Sequence, residues 1–209
     1  MDILSFSYGL ACANMYVIRF GNEALVIDPC CPWEETGLSD IDVKAVFCTH
    51  GHFDHIAEAE GIVSKFGCPI YISAQDQKML NDPYLNHSAS FGINVSVNVK
   101  SEILPGTDMS SADLDMCAEP VFSIKTVCTP GHTSGSVCYL FSFEDGKKIM
   151  FTGDMLFKRS IGRTDLGGSH SDMIDSIRLL QTMDDDIVCY PGHGPETVLG
   201  IEKRNNPYF

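Results

Sequence analysis

The chain has 209 residues, 44% of them hydrophobic, and a net charge of −14 from 28 Asp and Glu against 14 Lys and Arg. That length and apolar fraction allow a single domain over residues 1–209 with a sizeable core. The acidity argues against nucleic acid, whose phosphates need a basic face.

No run approaches the roughly 18 apolar residues of a membrane span, so no membrane partner is expected. The opening Met1-Asp2-Ile3-Leu4 carries no basic leader. Nine cysteines are an odd number for a disulfide framework. We therefore expect reduced thiols and a cytoplasmic location, with the sequons at Asn86 and Asn94 accidental.

In chain order, apolar runs of strand length fall at residues 3–6, 15–18, 24–27, 45–48, 122–127, 137–140, 149–151 and 187–190. Helical spacing is expected over residues 56–66, over a short second stretch at 74–80, and most clearly over 172–183. There Met173, Ile177 and Leu180 share a face, and Ser169 or Ser171 serves as N-cap. A last helix is predicted over 196–204, ended by Asn205-Asn206-Pro207. Residues 81–98 show no period, and read either as a lid or substrate wall or as a plain surface excursion.

Five of the seven histidines cluster in three segments: Thr49-His50-Gly51-His52-Phe53-Asp54-His55, Pro130-Gly131-His132 and Pro191-Gly192-His193. Phe151-Thr152-Gly153-Asp154 adds a carboxylate. Each cluster follows an apolar strand, and loops leaving adjacent strands converge along one sheet edge in layered α/β folds. Alternate residues of an extended turn share a side, so His50 and His52 suit one ion while Asp54 and His55 swing toward a second. Imidazole and carboxylate donors suit zinc first, with iron or manganese as alternatives. His87 and His170 lie outside these segments and are expected to be non-ligands. Cys48, Cys128 and Cys189, each shortly before a ligand histidine, read as small core residues, as do Cys30 and Cys31.

The run Thr49 to His55, followed in order by His132, Asp154 and His193, resembles the His-x-His-x-Asp-His signature of the metallo-β-lactamase superfamily. Val26-Ile27-Asp28-Pro29, Gly153-Asp154-Met155-Leu156-Phe157, Gly162-Arg163-Thr164-Asp165 and the closing Glu202 to Pro207 are similar to its hydroxyacylglutathione hydrolase-like (glyoxalase II-like) branch. The resemblance implies an α/β fold, a four-layer αβ/βα sandwich of two mixed sheets with helices on the outer faces. It assigns His50, His52 and His132 to one ion and Asp54, His55 and His193 to another, with Asp154 bridging. Asp54 and Asp154 are then catalytic through the metals they hold. Asp28, and less strongly Asp165, are expected to orient ligand imidazoles. Arg163 or Lys158, beside Arg159, is a candidate grip for a substrate carboxylate, although a structural ion pair serves equally well.

Two divalent ions sharing a hydroxide imply hydrolysis, and a small thioester fits because its thiolate leaves without a strong acid. A persulfide dioxygenase with one iron on His50, His132 and Asp154 is the alternative, and a non-catalytic metal-binding role the third. Zinc β-lactamases typically carry Cys where Asp154 stands, which disfavours that activity. Hydroxyacylglutathione hydrolases carry a C-terminal helical domain for glutathione, whereas little chain follows His193. The thiol carrier is therefore expected to differ or to be loosely held.

Overall fold

Apolar side chains alternate along the strands, and that alternation sets the layers. The structure, a computed structural model, describes residues 1–105, 108–114, 116 and 121–209. Its first half contributes β1 (Asp2–Tyr8), β2 (Ala13–Phe20), β3 (Glu23–Ile27), β4 (Asp42–Phe47), α1 (Phe53–Ile56), α2 (Ala59–Phe66), β5 (Ile70–Ile72) and β6 (Ser101–Ile103). Then come β7 (Met109–Ser110), β8 (Phe122–Cys128), β9 (Val137–Phe143), β10 (Lys148–Gly153), β11 (Leu156–Phe157), β12 (Ser160–Ile161), α3 (His170–Gln181), β13 (Val188–Pro191), β14 (Thr197–Val198) and α4 (Leu199–Asn205).

Strands β1 to β6 form one sheet in sequence order, antiparallel as far as β3 and parallel from β3 onward. The second sheet runs β14-β13-β10-β9-β8-β7 and is antiparallel except where β10 pairs with β13. Tyr16, Ile18 and Phe20 of β2 meet Tyr139 and Phe141 of β9 and Ile149 and Phe151 of β10 between the sheets. Met15 and Val17 face the opposite way, into a cluster with Ile56, Ala59 and Ile62 of α1 and α2. Cys138, Leu140 and Met150 likewise turn outward onto Met173, Ile177 and Leu180 of α3. Period-2 burial on both faces of both sheets gives the expected four layers, helix, sheet, sheet and helix.

Three predicted helices are altered by tertiary bonds. The run 56–66 splits because the Glu58 N–H leaves the helical ladder to donate to Pro29 O at 2.9 Å. Residues 74–80 contain a turn and a 3₁₀ segment, Gln77–Leu80, with the Asp76 side chain committed elsewhere. The β-branched pair Thr197 and Val198 joins β13 as β14, so the last helix starts at Leu199. In α3, Ser169 caps by accepting from Asp172 N–H.

Strands β8, β10 and β13 run the same way, so their C-terminal ends reach one edge. Two backbone links carry the first sheet to that edge: Asn14 N–H donates to Gly192 O at 2.8 Å, and Val137 N–H to Thr49 O at 2.9 Å. Among the described residues no helix is long and apolar enough to cross a membrane. The eight described cysteines are free, and Cys117 lies outside the described residues. Cys48 and Cys189 are core residues, but Cys128, on the face of β8 that carries Phe122 and Ile124, lies at the strand's exposed end rather than in the core.

Candidate metal centre

The four ligand segments meet at that edge. Each of three groups brings one donor atom per residue to within 4.8 Å of the others: His50, His52 and His132; His50, His55 and Asp154; Asp54, His55 and His193. All seven predicted ligands therefore fall into one cluster, and His87 and His170 stand outside these groups. His87 is nonetheless close, its ring 5.2 Å from that of His52.

Hydrogen bonds on the far side of four of the five rings, those of His50, His52, His55 and His132, set which nitrogen faces the cluster. Thr49 Oγ1 donates to Asp28 Oδ2 at 2.7 Å, so it can only accept from His50 Nδ1 at 3.0 Å. That leaves the His50 Nε2 lone pair bare, and this atom is buried without a partner. His132 Nδ1 donates to Arg163 O at 2.7 Å and His52 Nε2 to Leu166 O at 3.1 Å. The lone pairs of His52 Nδ1 and His132 Nε2 then face each other across 2.8 Å. His55 Nδ1 lies 3.0 Å from Asp28 Oδ2, which aims Nε2 at Asp154 Oδ1 (3.3 Å) and at His193 Nε2 (3.3 Å). Asp154 Oδ2 lies 3.5 Å from both His132 Nε2 and His193 Nε2, and Asp54 Oδ2 lies 3.4 Å from His193 Nε2. Converging lone pairs, with His50 Nε2 and Asp154 Oδ1 orphaned in the interior, are what a set of metal donors requires and what a metal-free polar core avoids.

Electrostatics divide the cluster. Burial pushes His50 well below its ordinary value, takes His52 down to about 3 and lowers His132, so these three rings are neutral donors at pH 7. Burial acts the same way on His55 and His193, but the carboxylates of Asp54 and Asp154 outweigh it. His55 is raised well above its usual range and His193 to about 9. Conversely, burial favours protonation of Asp54 and Asp154, and the neighbouring imidazoles hold both below the ordinary carboxylate value.

The two Pro-Gly-His loops need their glycines for different reasons. Gly131 sits at φ +148°, where a Cβ would meet the Met173 backbone at 2.6 Å. At Gly192 a Cβ would fall 2.2 Å from Asp154 Oδ1 and 2.7 Å from His55 Cε1. Close approach to the ligands, rather than turn geometry, dictates the second glycine.

Asp28 reaches the cluster from the end of β3 at φ +51°, a strained setting for a residue with a Cβ. It accepts from Thr49 N–H (2.7 Å) and Thr49 Oγ1 (2.7 Å) besides facing His55. Asp165 does not touch a ligand ring. Its carboxylate spans Arg163 with two 2.6 Å bonds at the surface, and it is the backbone carbonyl of Arg163 that accepts from His132 Nδ1. Lys158 is exposed on the β11–β12 turn, outside the residues lining the pocket over the cluster. Arg163 does line that pocket.

Sequence reasoning missed the residues that hold the loops. Asp76 accepts from Gly51 N–H (3.1 Å), Thr133 Oγ1 (2.6 Å) and Gly135 N–H (2.9 Å), tying the His50-Gly51-His52 turn to the loop after His132. Asn14 Nδ2 and Tyr16 Oη donate to Pro191 O at 3.1 and 2.7 Å, and Asn14 Nδ2 also to Gly194 O, fixing both flanks of His193. A polar Asn opening an otherwise buried strand was the one available signal.

Residues 12–193 match the family model described as the metallo-beta-lactamase superfamily. A relative from Haemophilus influenzae, hydroxyacylglutathione hydrolase GloC, is 35% identical over 180 residues, which cover 81% of this chain and 77% of that protein. Two solved structures are similar over nearly the whole length. The BLEG-1 B3 metallo-beta-lactamase has TM-score 0.83 at 29% identity, covering 99% of each chain. TTHA1623, in a di-iron-bound form, has TM-score 0.79 at 27% identity, covering 99% of this chain and 100% of the other.

Proposed function

The chain belongs to the metallo-beta-lactamase superfamily, and from that premise we propose that it is a metal-dependent hydrolase of a small thioester, acting as one domain in a reducing cytoplasm. The observation that carries the reading is the packing of seven donor residues into one cluster, in which the lone pairs of His52 Nδ1 and His132 Nε2 face each other at 2.8 Å and His50 Nε2 is buried without a partner.

His50, His52 and His132 would hold one divalent ion, and Asp54, His55 and His193 a second, with Asp154 between them. Such ions supply an acidified water and an electrophile for a carbonyl oxygen. The protein's own part is to fix the donors. Thr49 and the carbonyls of Arg163 and Leu166 keep the first three rings in the right tautomer, and Asp28 does so for His55. A thioester is favoured because its leaving thiolate needs no strong acid, and the relative named for hydroxyacylglutathione hydrolysis supports the same chemistry. Zinc is the first expectation, and the di-iron-bound neighbour makes iron the main competitor.

One second reading has a geometric basis. His50 groups with His132 and, separately, with Asp154, and His132 Nε2 lies 3.5 Å from Asp154 Oδ2, so these three side chains could serve a one-iron persulfide dioxygenase. Elemental analysis of the purified protein, combined with S-lactoylglutathione turnover, tests both readings. Two divalent ions per chain with thioester turnover are expected. A single iron with oxygen uptake on glutathione persulfide transfers the assignment to the second reading. Because of the BLEG-1 likeness, a chromogenic cephalosporin belongs in the assay as a control, with no turnover expected.

A further inference from the structure

The pocket over the ligand cluster has a volume of about 280 Å³. Around the metal donors its walls are the apolar Ala11, Phe53, Phe91, Phe157 and Leu166, joined by His87 and Arg163, drawn from separate stretches of the chain. The Phe53 and Phe91 rings pack 5.1 Å apart, yet Phe91 stays 60% exposed at the mouth. An aromatic ring left in water beside a reactive centre is surface that a bound apolar group would cover.

The wall is preformed. Asn86 is fully buried, and its Nδ2 donates to Met79 O (3.0 Å) and Val95 O (2.9 Å) while its Oδ1 accepts from Ser88 N–H (3.0 Å). Phe53 N–H donates to Asn86 O at 3.0 Å, which locks this loop onto the ligand-bearing α1. Glycosylation at Asn86 is excluded by the same burial.

Cationic side chains that could hold a carboxylate are scarce around these walls. Among the described residues Arg163 is the one Lys or Arg lining the pocket, and its Nε and Nη2 are each taken by Asp165 at 2.6 Å. Glutathione presents two carboxylates, each needing a charge-assisted partner, on a protein of net charge −14.

We propose that this pocket selects thioesters whose flanking group is uncharged and apolar, aryl or branched alkyl, over those of glutathione, and that Phe91 sets the preference. The substrate chemistry rests on the hydrolase reading above, whereas the ligand preference can be measured without turnover.

Calorimetry on the metal-loaded protein compares two inert thioethers, S-benzyl-N-acetylcysteamine and S-methylglutathione. The benzyl compound is expected to bind at least tenfold tighter. Phe91→Ala should weaken it about tenfold, the worth of about 55 Å² of apolar contact, while Phe91→Leu keeps most of the affinity. In parallel, the ratio of kcat/KM for phenylacetyl-N-acetylcysteamine to that for S-lactoylglutathione should exceed ten and fall about tenfold in Phe91→Ala, chiefly through KM. Tighter binding of the glutathione compound overturns the proposal, as does an unchanged preference in a folded Phe91→Ala protein. If neither thioester turns over while the benzyl preference and its loss in Phe91→Ala hold, the hydrolase reading fails and the pocket assignment stands.

Discussion

Asp76→Ala should be among the most damaging single changes outside the ligand set, although Asp76 contacts no proposed ligand side chain. Its carboxylate serves Gly51 N–H, Gly135 N–H and Thr133 Oγ1. On truncation the Thr133 hydroxyl can turn to Ser136 Oγ, 2.8 Å away, so it is not stranded. The two backbone N–H groups are stranded, at about 1–3 kcal/mol each, or about 2–6 kcal/mol together. Relief of the buried charge, whose pKa burial already raises, offsets part of this. We therefore expect a loss of about 3 kcal/mol in urea unfolding of the metal-free protein. Asp76→Asn keeps one acceptor oxygen but sets an NH₂ against a backbone N–H, and should lose about half as much. Because Gly51 lies between His50 and His52, and Thr133 follows His132, chelator competition should show about 10–100-fold weaker binding of one ion in Asp76→Ala. A loss below about 1 kcal/mol with both ions held at native affinity would refute the role given to this carboxylate.

Asp54→Ala should leave about one ion per chain by elemental analysis and reduce thioester turnover by at least about a thousandfold; full activity there would rule out the two-ion reading. Gly192→Ala should fold, since its Cβ collides with Asp154 Oδ1 and His55 Cε1 rather than with the core, but should lose metal; native metal content would count against the geometry of this loop. In the metal-free protein His193 titrates at about 9 when folded, above its unfolded value near 6.5. Its contribution is thus fully present below about pH 6.5 and lost as the pH rises through about 9, a fall of about 3 kcal/mol at most. Bound metal instead displaces that proton and holds more tightly as the pH rises, so the difference in Tm between metal-loaded and metal-free protein should widen from pH 6 to 9. A constant difference would contradict the proton placement.

The layers and the clustering of the candidate donors were legible in the sequence for the same reason: both are written in residue type at short spacing. Alternation in β2, β9 and β10 marks two buried faces per sheet, and the candidate donor segments follow the apolar strands β4, β8, β10 and β13. What failed depends on bonds between distant segments. The break after α1 is set by Pro29 O, which lies 29 positions before Glu58. Asp76 is one of 28 acidic residues, and nothing local distinguishes it until Gly51 and Gly135 are seen to share it. Asp165 misled because spacing shows a carboxylate near the motif but not that Arg163, two positions away, holds it at the surface.

The acceptors behind the imidazoles also bear on how such a site tolerates change. Two of the four are backbone carbonyls, Arg163 O and Leu166 O, and a carbonyl keeps its function whatever side chain the residue carries. Substituting Arg163 or Leu166 should therefore alter the pocket wall more than the metal donors. The path of that segment is fixed instead by glycines. A Cβ on Gly162 would lie 1.9 Å from Asp154 O, and one on Gly168 would lie 2.0 Å from Gly131 O. The same short stretch thus separates two tasks, side chains that face substrate and a backbone that sets imidazole tautomers, which lets substrate preference drift without disturbing the donors.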